Sequence, residues 1–264
     1  MSFVYLDDRK EIERFLRGNT GLHLYSIGDL DDFFWPYTTW LATRSEGKLD
    51  SVVLLYSGAG SHTLLAMSDD TEKMRNLLNS AEDSLPESFH AHLSPDLESF
   101  FQKNHTLESH GKYHRMMLHS KTKIASSQCA EVCPLIPDDV DELLEFYKES
   151  YPGNWFDPRM LQTGQYFCIR QNGKLVSVAG IHVFSPEYRV AALGNIATLQ
   201  KYRGRGYGKL VTSALCQSLL GRVDHIGLNV KCDNSAAISC YKALGFEIAA
   251  SFGEFSVRRN HEKD

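Results

Sequence analysis

Lys201-Tyr-Arg-Gly-Arg-Gly-Tyr-Gly-Lys209 sets three alternate glycines among four cations. It follows the apolar run Arg189-Val-Ala-Ala-Leu-Gly-Asn-Ile-Ala-Thr198, which reads as a strand. It precedes Leu210-Val-Thr-Ser-Ala-Leu-Cys-Gln-Ser-Leu-Leu220, whose apolar residues recur at helical spacing. The glycines therefore occupy a strand-to-helix turn. The first N–H groups of a helix lack an internal acceptor and the helix dipole favours negative charge, so such a turn suits a phosphate held by backbone. Gly206 and Gly208 let the backbone approach without an intervening Cβ, while Arg203, Arg205 and Lys209 add screened charge. Taken alone, the loop also reads as a glycine-rich surface turn with solvated basic residues.

A second constellation follows at Asn234-Ser-Ala-Ala-Ile-Ser-Cys-Tyr-Lys-Ala-Leu-Gly-Phe246. Asn234 suits a helix start, and Gly245 a helix end followed at once by an apolar residue. Asn234 and Tyr241 share one helix face, two turns apart. Upstream, Ile226-Gly-Leu-Asn-Val230 reads as the strand feeding this helix.

These residues resemble the GNAT superfamily of acyl-CoA-dependent N-acyltransferases. Arg203-Gly-Arg-Gly206-Tyr-Gly208 matches the family's pyrophosphate loop, Gln/Arg-x-x-Gly-x-Gly/Ala, and Asn234, Ala237, Tyr241, Gly245 and Phe246 match its next signature. Other phosphate loops fit worse. Lys209 is followed by Leu210, where a P-loop needs Ser or Thr, and Gly-x-Gly-x-Gly is not the dinucleotide spacing.

A chain of 264 residues with 42% hydrophobic content can bury one large core or two ordinary ones, and two are expected. A net charge of −5 gives no support for a nucleic-acid partner, so the basic loop reads as a ligand site. There is no run of eighteen apolar residues, and Met1-Ser-Phe-Val-Tyr-Leu-Asp-Asp8 lacks a signal-peptide pattern, so a soluble cytoplasmic protein without a membrane partner is expected. The six cysteines, Cys129, Cys133, Cys168, Cys216, Cys232 and Cys240, match no zinc spacing and read as reduced, mostly buried thiols, so no metal is expected.

The polar stretch from His119 to Gln128 reads as a linker between domains at 1–120 and 129–264. After it come a strand near 131–136, a helix from about Asp138 to Tyr151, and a second helix begun by Asp157-Pro158. Strands then flank the hairpin signal Asn172-Gly173. The first half repeats this order more faintly. It has a helix over Asp8–Leu16, apolar segments at Trp40–Thr43, Ser51–Tyr56 and His62–Ala66, and a helix near Glu72–Glu82. A strand at Phe89–His92, a helix near Asp96–Phe101 and a strand at Tyr113–Leu118 follow. The resemblance implies an α+β fold of tandem GNAT-like halves, each a mostly antiparallel sheet flanked by helices. With no glycine loop in its first half, the chain looks like the glycine N-acyltransferase-like branch, whose amino-terminal half is degenerate. Leu22-His-Leu-Tyr-Ser-Ile-Gly-Asp-Leu-Asp31 resembles an element of that branch. The aromatic cluster Phe33-Phe-Trp-Pro-Tyr37 with Trp40 reads as packing or as a substrate wall.

Acyl transfer from a thioester to an amine needs a grip on the donor, a stabilised oxyanion, a proton for the departing thiolate and a neutral amine. The resemblance assigns the pyrophosphate grip to Arg203, Gly204, Arg205, Gly206, Tyr207, Gly208 and Lys209. Ile196 and Thr198 fall where the family pairs its backbone with pantetheine, and the N–H of Ile196 is the expected oxyanion donor. Tyr241 falls on the general acid, a role that a phenol of ordinary pKa about 10 suits chemically. Asn234 falls on a pantetheine contact, with helix capping as an equal role. The base stays open among His182, Glu187, Glu247, Glu254 and water. The expected function is transfer of an acetyl or other short acyl group from acyl-CoA, with acetyl-CoA the expected donor, to a small primary amine, such as an amino acid, by a monomer or homodimer. A non-catalytic CoA-binding module is the competing expectation.

Overall fold

The computed structural model describes residues 2–58, 60–124 and 132–260. The expected linker lies partly outside these residues, as do Cys129 and Glu131. The chain forms two compact units, one of residues 1–115 with 249–264 and the other of 116–248. The carboxyl-terminal stretch, read in sequence as the end of the second domain, is thus counted with the first. Its reason is pairing: Gly253–Arg258 run antiparallel to Leu93–Ser88.

Unit 1 contains β1 (Val4–Leu6), α1 (Arg9–Leu16), α2 (Thr20–Gly28), β2 (Thr38–Ser45), β3 (Lys48–Tyr56), β4 (Thr63–Ala66), α3 (Thr71–Ala81), β5 (Ser88–Leu93), α4 (Glu98–Phe101) and most of β6 (His105–Leu118). Asp8 caps α1 by accepting from the Lys10 and Glu11 N–H groups, which is why the helix starts there. Sheet neighbours run β1-β2-β3-β4-β5, antiparallel except for the parallel pair β4 and β5. The parallel pair is joined through α3, which buries Met74, Leu77, Leu78 and Ala81 in a core shared with Val53, Leu64, Phe89 and Phe101. The aromatic cluster is used in packing: Trp35 stacks on Trp40 at 6.3 Å and the Arg9 guanidinium sits 4.5 Å over Trp35.

Unit 2 contains β7 (Val132–Pro134), α5 (Val140–Ser150), β8 (Phe167–Gln171), β9 (Lys174–Ser185), β10 (Val190–Thr198), α6 (Tyr207–Leu219), β11 (His225–Lys231), α7 (Ser235–Ala243) and the start of β12 (Phe246–Arg259). The order β11-β10-β9-β8-β7 is antiparallel except for β10 and β11, a parallel pair joined through α6. Asn172 and Gly173, at φ 51° and 78°, form the hairpin turn between β8 and β9 that their identity demands. Asp157-Pro158 begins a 3-10 turn of six residues rather than an α-helix, stopped by the left-handed Gly164. On α6 the stripe Val211, Leu215, Leu219 is fully buried; each such side chain contributes about 2 kcal/mol of apolar burial.

Candidate active site

Two departures from regular structure, both in unit 2, create the site. The first is in β10. Its parallel register with β11 covers Val190–Leu193 against His225–Leu228 and stops there, although both strands run on, so the backbone from Gly194 onward parts from β11. The register with β9 also slips between Gly194 and Ala197, leaving Asn195 and Ile196 in a bulge.

Asn195 takes a left-handed φ of 53° at 3% exposure. A buried polar network holds it there. The Tyr147 hydroxyl donates to Asn195 O at 2.8 Å, Asn154 Nδ2 donates to Asn195 Oδ1 at 3.1 Å, and Asn195 Nδ2 donates to the Tyr166 hydroxyl at 3.0 Å. Tyr166 donates in turn to Ile181 O at 2.9 Å. Burial pushes the phenols of Tyr147 and Tyr166 far above the ordinary value, so both stay protonated donors. Ser177 Oγ, bonded to Thr198 Oγ1 at 2.8 Å and to Ala197 O at 3.3 Å, ties down the far end of the bulge.

The second departure is the start of α6. Gly206 is its N-cap residue, at φ 81°, and supplies no side-chain cap. The first intrahelical bond runs from Leu210 N to Gly206 O at 3.1 Å, so the N–H groups of Tyr207, Gly208 and Lys209 precede the helix's own acceptors. A Cβ on Gly206 would meet nothing within 4 Å; the glycine is needed for its φ and leaves the approach open. Arg203 Nε donates to Thr198 O at 3.1 Å, joining the loop to the end of β10. Arg205 and Lys201 lie 5.2 Å and 5.3 Å over the Tyr202 ring, with their charges exposed. The predicted loop residues Arg203–Lys209 and strand residues Ile196 and Thr198 therefore converge at one end of β10.

Asn234 caps α7 by accepting from Ala237 N at 3.1 Å, the structural role foreseen for it, and its amide NH2 stands on an exposed residue. Tyr241 is 8% exposed and packs edge-on to Phe246 at 6.1 Å. Of the base candidates, Glu187 and Glu247 are exposed and Glu254 belongs to unit 1. His182 is different. Its ring lies against the Cα of Gly194, so closely that a Cβ there would run into it, and 5.8 Å from the Trp155 ring. Burial pushes its imidazole down to about 4, which keeps it neutral at pH 7.

Asn195, Tyr147, Asn154 and Tyr166 were missed by sequence reasoning. Only the Gly-Asn step inside an apolar strand hinted at a bulge. No group of three or more His, Cys, Asp or Glu side chains that could hold a metal occurs among the described residues, and no helix there is long and apolar enough to cross a membrane.

Comparison with known proteins agrees with this geometry. Residues 134–246 match the Acetyltransferase (GNAT) family. The [Ribosomal protein bS18]-alanine N-acetyltransferase of Escherichia coli K12 is 35% identical over 96 residues, 36% of this chain and 59% of that protein. The chain thus spans less than two thirds of the curated relatives it matches. Among solved structures, the tandem GNAT protein from the clavulanic acid biosynthesis pathway aligns over 100% of this chain and 99% of its own, at TM-score 0.57 and 15% identity. A GNAT-family acetyltransferase from Colwellia psychrerythraea aligns over 98% and 100%, at TM-score 0.58 and 14% identity. At such identities the structures speak for the fold alone. The fold is a mixed α/β GNAT fold with tandem relatives, and the GNAT acetyltransferase family is supported.

Proposed function

We propose that this protein is an acetyl-CoA-dependent N-acetyltransferase that passes the acetyl group directly to a primary amine within a ternary complex. The observation that carries this reading is the uncapped start of α6, set at the end of a strand that has parted from its parallel neighbour. The amides of Tyr207, Gly208 and Lys209 would receive the diphosphate of the donor, assisted by Arg203, Gly204, Arg205 and Gly206. The parted stretch through Ile196 and Thr198 would receive pantetheine, with Asn234 beside it.

The amine nitrogen forms a bond to the thioester carbonyl carbon, and the resulting oxyanion is met by the N–H of Ile196, held in place by the bulge. As the C–S bond breaks, Tyr241 delivers a proton to the departing thiolate, whose ordinary pKa of about 8.5 lies below that of a phenol. The amine proton leaves toward water or toward the neutral imidazole of His182, the one base candidate packed against the bulge. Unit 1, without a glycine loop, takes no donor and is the degenerate half.

A small amino compound is the first choice of acceptor. A protein α-amine is the second, favoured by the name of the Escherichia coli relative. Incubation with acetyl-CoA and a panel of amino acids, polyamines and peptides with free amino termini should release CoA thiol in equal amount to acetylated amine. Tight CoA binding without thiol release for any of these amines would replace this reading by that of a CoA-binding regulatory module.

A further inference from the structure

Away from the acyl-transfer site, β7 and β8 carry one cysteine each in direct register, Cys133 opposite Cys168. Leu135 N donates to Tyr166 O at 2.9 Å two positions along the same ladder. Hydrogen-bonded pairs alternate in an antiparallel ladder, so Cys133 and Cys168 form one too, with Cα atoms about 5.5 Å apart. That lies inside the ~4.4–6.8 Å span a disulfide accepts. Both side chains project from the same face, and their Sγ atoms stand 3.9 Å apart as free thiols.

The two thiols differ in access. Cys133 is exposed on the outermost strand of the unit's sheet, whereas Cys168 is buried on the strand beside it. Burial, and then the neighbouring thiol, push Cys168 up to about 12, which leaves Cys133 to meet reagents from solution.

We propose that Cys133 and Cys168 are a dithiol modification site that takes a small aliphatic disulfide, such as oxidised glutathione, and closes into a cross-strand disulfide. The Cys133 thiolate attacks one sulfur of the reagent and expels one glutathione thiolate, forming a mixed disulfide. The Cys168 thiolate then attacks Cys133 Sγ and expels the second. Two protein thiols are oxidised, one external disulfide is reduced to two thiols, and the two protein protons pass to the released thiolates. The new bond closes a ring of chain containing Tyr147 and Asn154, the residues that hold the Asn195 bulge, and so removes conformations from the unfolded chain.

Treatment of the full chain with oxidised glutathione, followed by intact mass and peptide mapping, tests this without reference to catalysis. The expected product has lost about 2 Da, retains no glutathione, and yields a linked pair of peptides bearing Cys133 and Cys168. Cys133→Ser, at an exposed position, abolishes the loss, and Cys168→Ala retains one glutathione on Cys133. A persistent mixed disulfide on Cys133 in the unmodified sequence, or a link from Cys133 to Cys129 instead, overturns the proposal. So does a melting temperature lowered by oxidation, because the native register would then not accommodate the bond.

Discussion

The turn after β4 in unit 1 and the turn after β10 in unit 2 hold the same place in two units of the same plan, yet they differ in the two features a nucleotide tail would use. All of β4 is paired with β5, from Thr63 opposite His90 to Ala66 opposite Leu93, whereas β10 leaves β11 after Leu193. The helix after β4 is also closed: Asp70 caps α3 by accepting from Lys73 N at 3.1 Å, and Asp69 accepts from Asn19 at 2.8 Å. Asp69 and Asp70 of that turn line a cavity of about 190 Å³ together with Asp50 of β3 and Lys73 of α3; Lys73 is already paired with Asp50 at 2.9 Å, so three carboxylates face one engaged cation, a setting that disfavours a phosphate. The helix after β10 begins at an uncapped glycine among cations. One architecture thus supplies a self-satisfied turn in one unit and an open one in the other, and the difference lies in a handful of residues.

The largest effect that would sharpen this contrast is on turnover. Tyr241→Phe should lower kcat with acetyl-CoA by about 10²-fold or more while leaving CoA affinity within a few-fold, measured by thiol release and calorimetry. Equal loss in both would move Tyr241 from proton transfer to packing. Next, Asn195→Ala removes the side chain that holds a left-handed residue and leaves the Tyr166 and Asn154 polar groups short of a partner. A stability loss of roughly 2–3 kcal/mol in denaturant titration is expected.

The contrast itself is put at risk by stoichiometry. Calorimetry should find one CoA per chain; Gly206→Asp should weaken it at least about tenfold by setting a carboxylate where a phosphate would lie. Asp70→Ala, by contrast, should cost about 1 kcal/mol of stability through the lost cap and leave CoA affinity unchanged. A second equivalent of CoA, lost on changing unit 1, would break the comparison.

The smallest effect is on pH dependence, where the two units behave alike. His23 and His182, one in each unit, are both pushed from 6.5 to about 4, chiefly by burial, with Arg115 adding to the effect at His23. Between pH 6.5 and 4 the unfolded chain takes up a proton on each histidine that the folded chain refuses. Stability therefore falls as pH falls through that window, by roughly 1 kcal/mol per histidine per pH unit. His23→Gln and His182→Gln should each flatten the slope of unfolding free energy between pH 7 and 5; an unchanged slope would show that the imidazoles charge in place.

Much of this was legible in sequence because it rests on local chemistry. The Asn234 cap, the Asn172-Gly173 hairpin and the α6 stripe each follow from one residue's backbone preference or from helical periodicity. The glycine loop was legible for the same reason. What stayed hidden depends on partners distant in the chain: Tyr147 and Tyr166 look like ordinary core aromatics until the fold brings their hydroxyls to Asn195. The Asp157-Pro158 segment was overread, since a good cap starts a helix but cannot extend it past a left-handed glycine six residues on. The strand β1 and the helix α2 were missed. The buried face of α2 receives Arg115, whose guanidinium hydrogen-bonds Leu22 O and lies 4.6 Å over Tyr25, so part of that helix's burial is decided far away in sequence.

The bulge at Asn195 is anchored chiefly from the interior, by the Tyr147 and Tyr166 hydroxyls, with a single amide, that of Asn154, reaching it from the loop after α5. Exposed segments around it can therefore accumulate substitutions over generations without disturbing the bend. Surface drift in a lineage of such proteins would leave the position of the Ile196 amide unchanged.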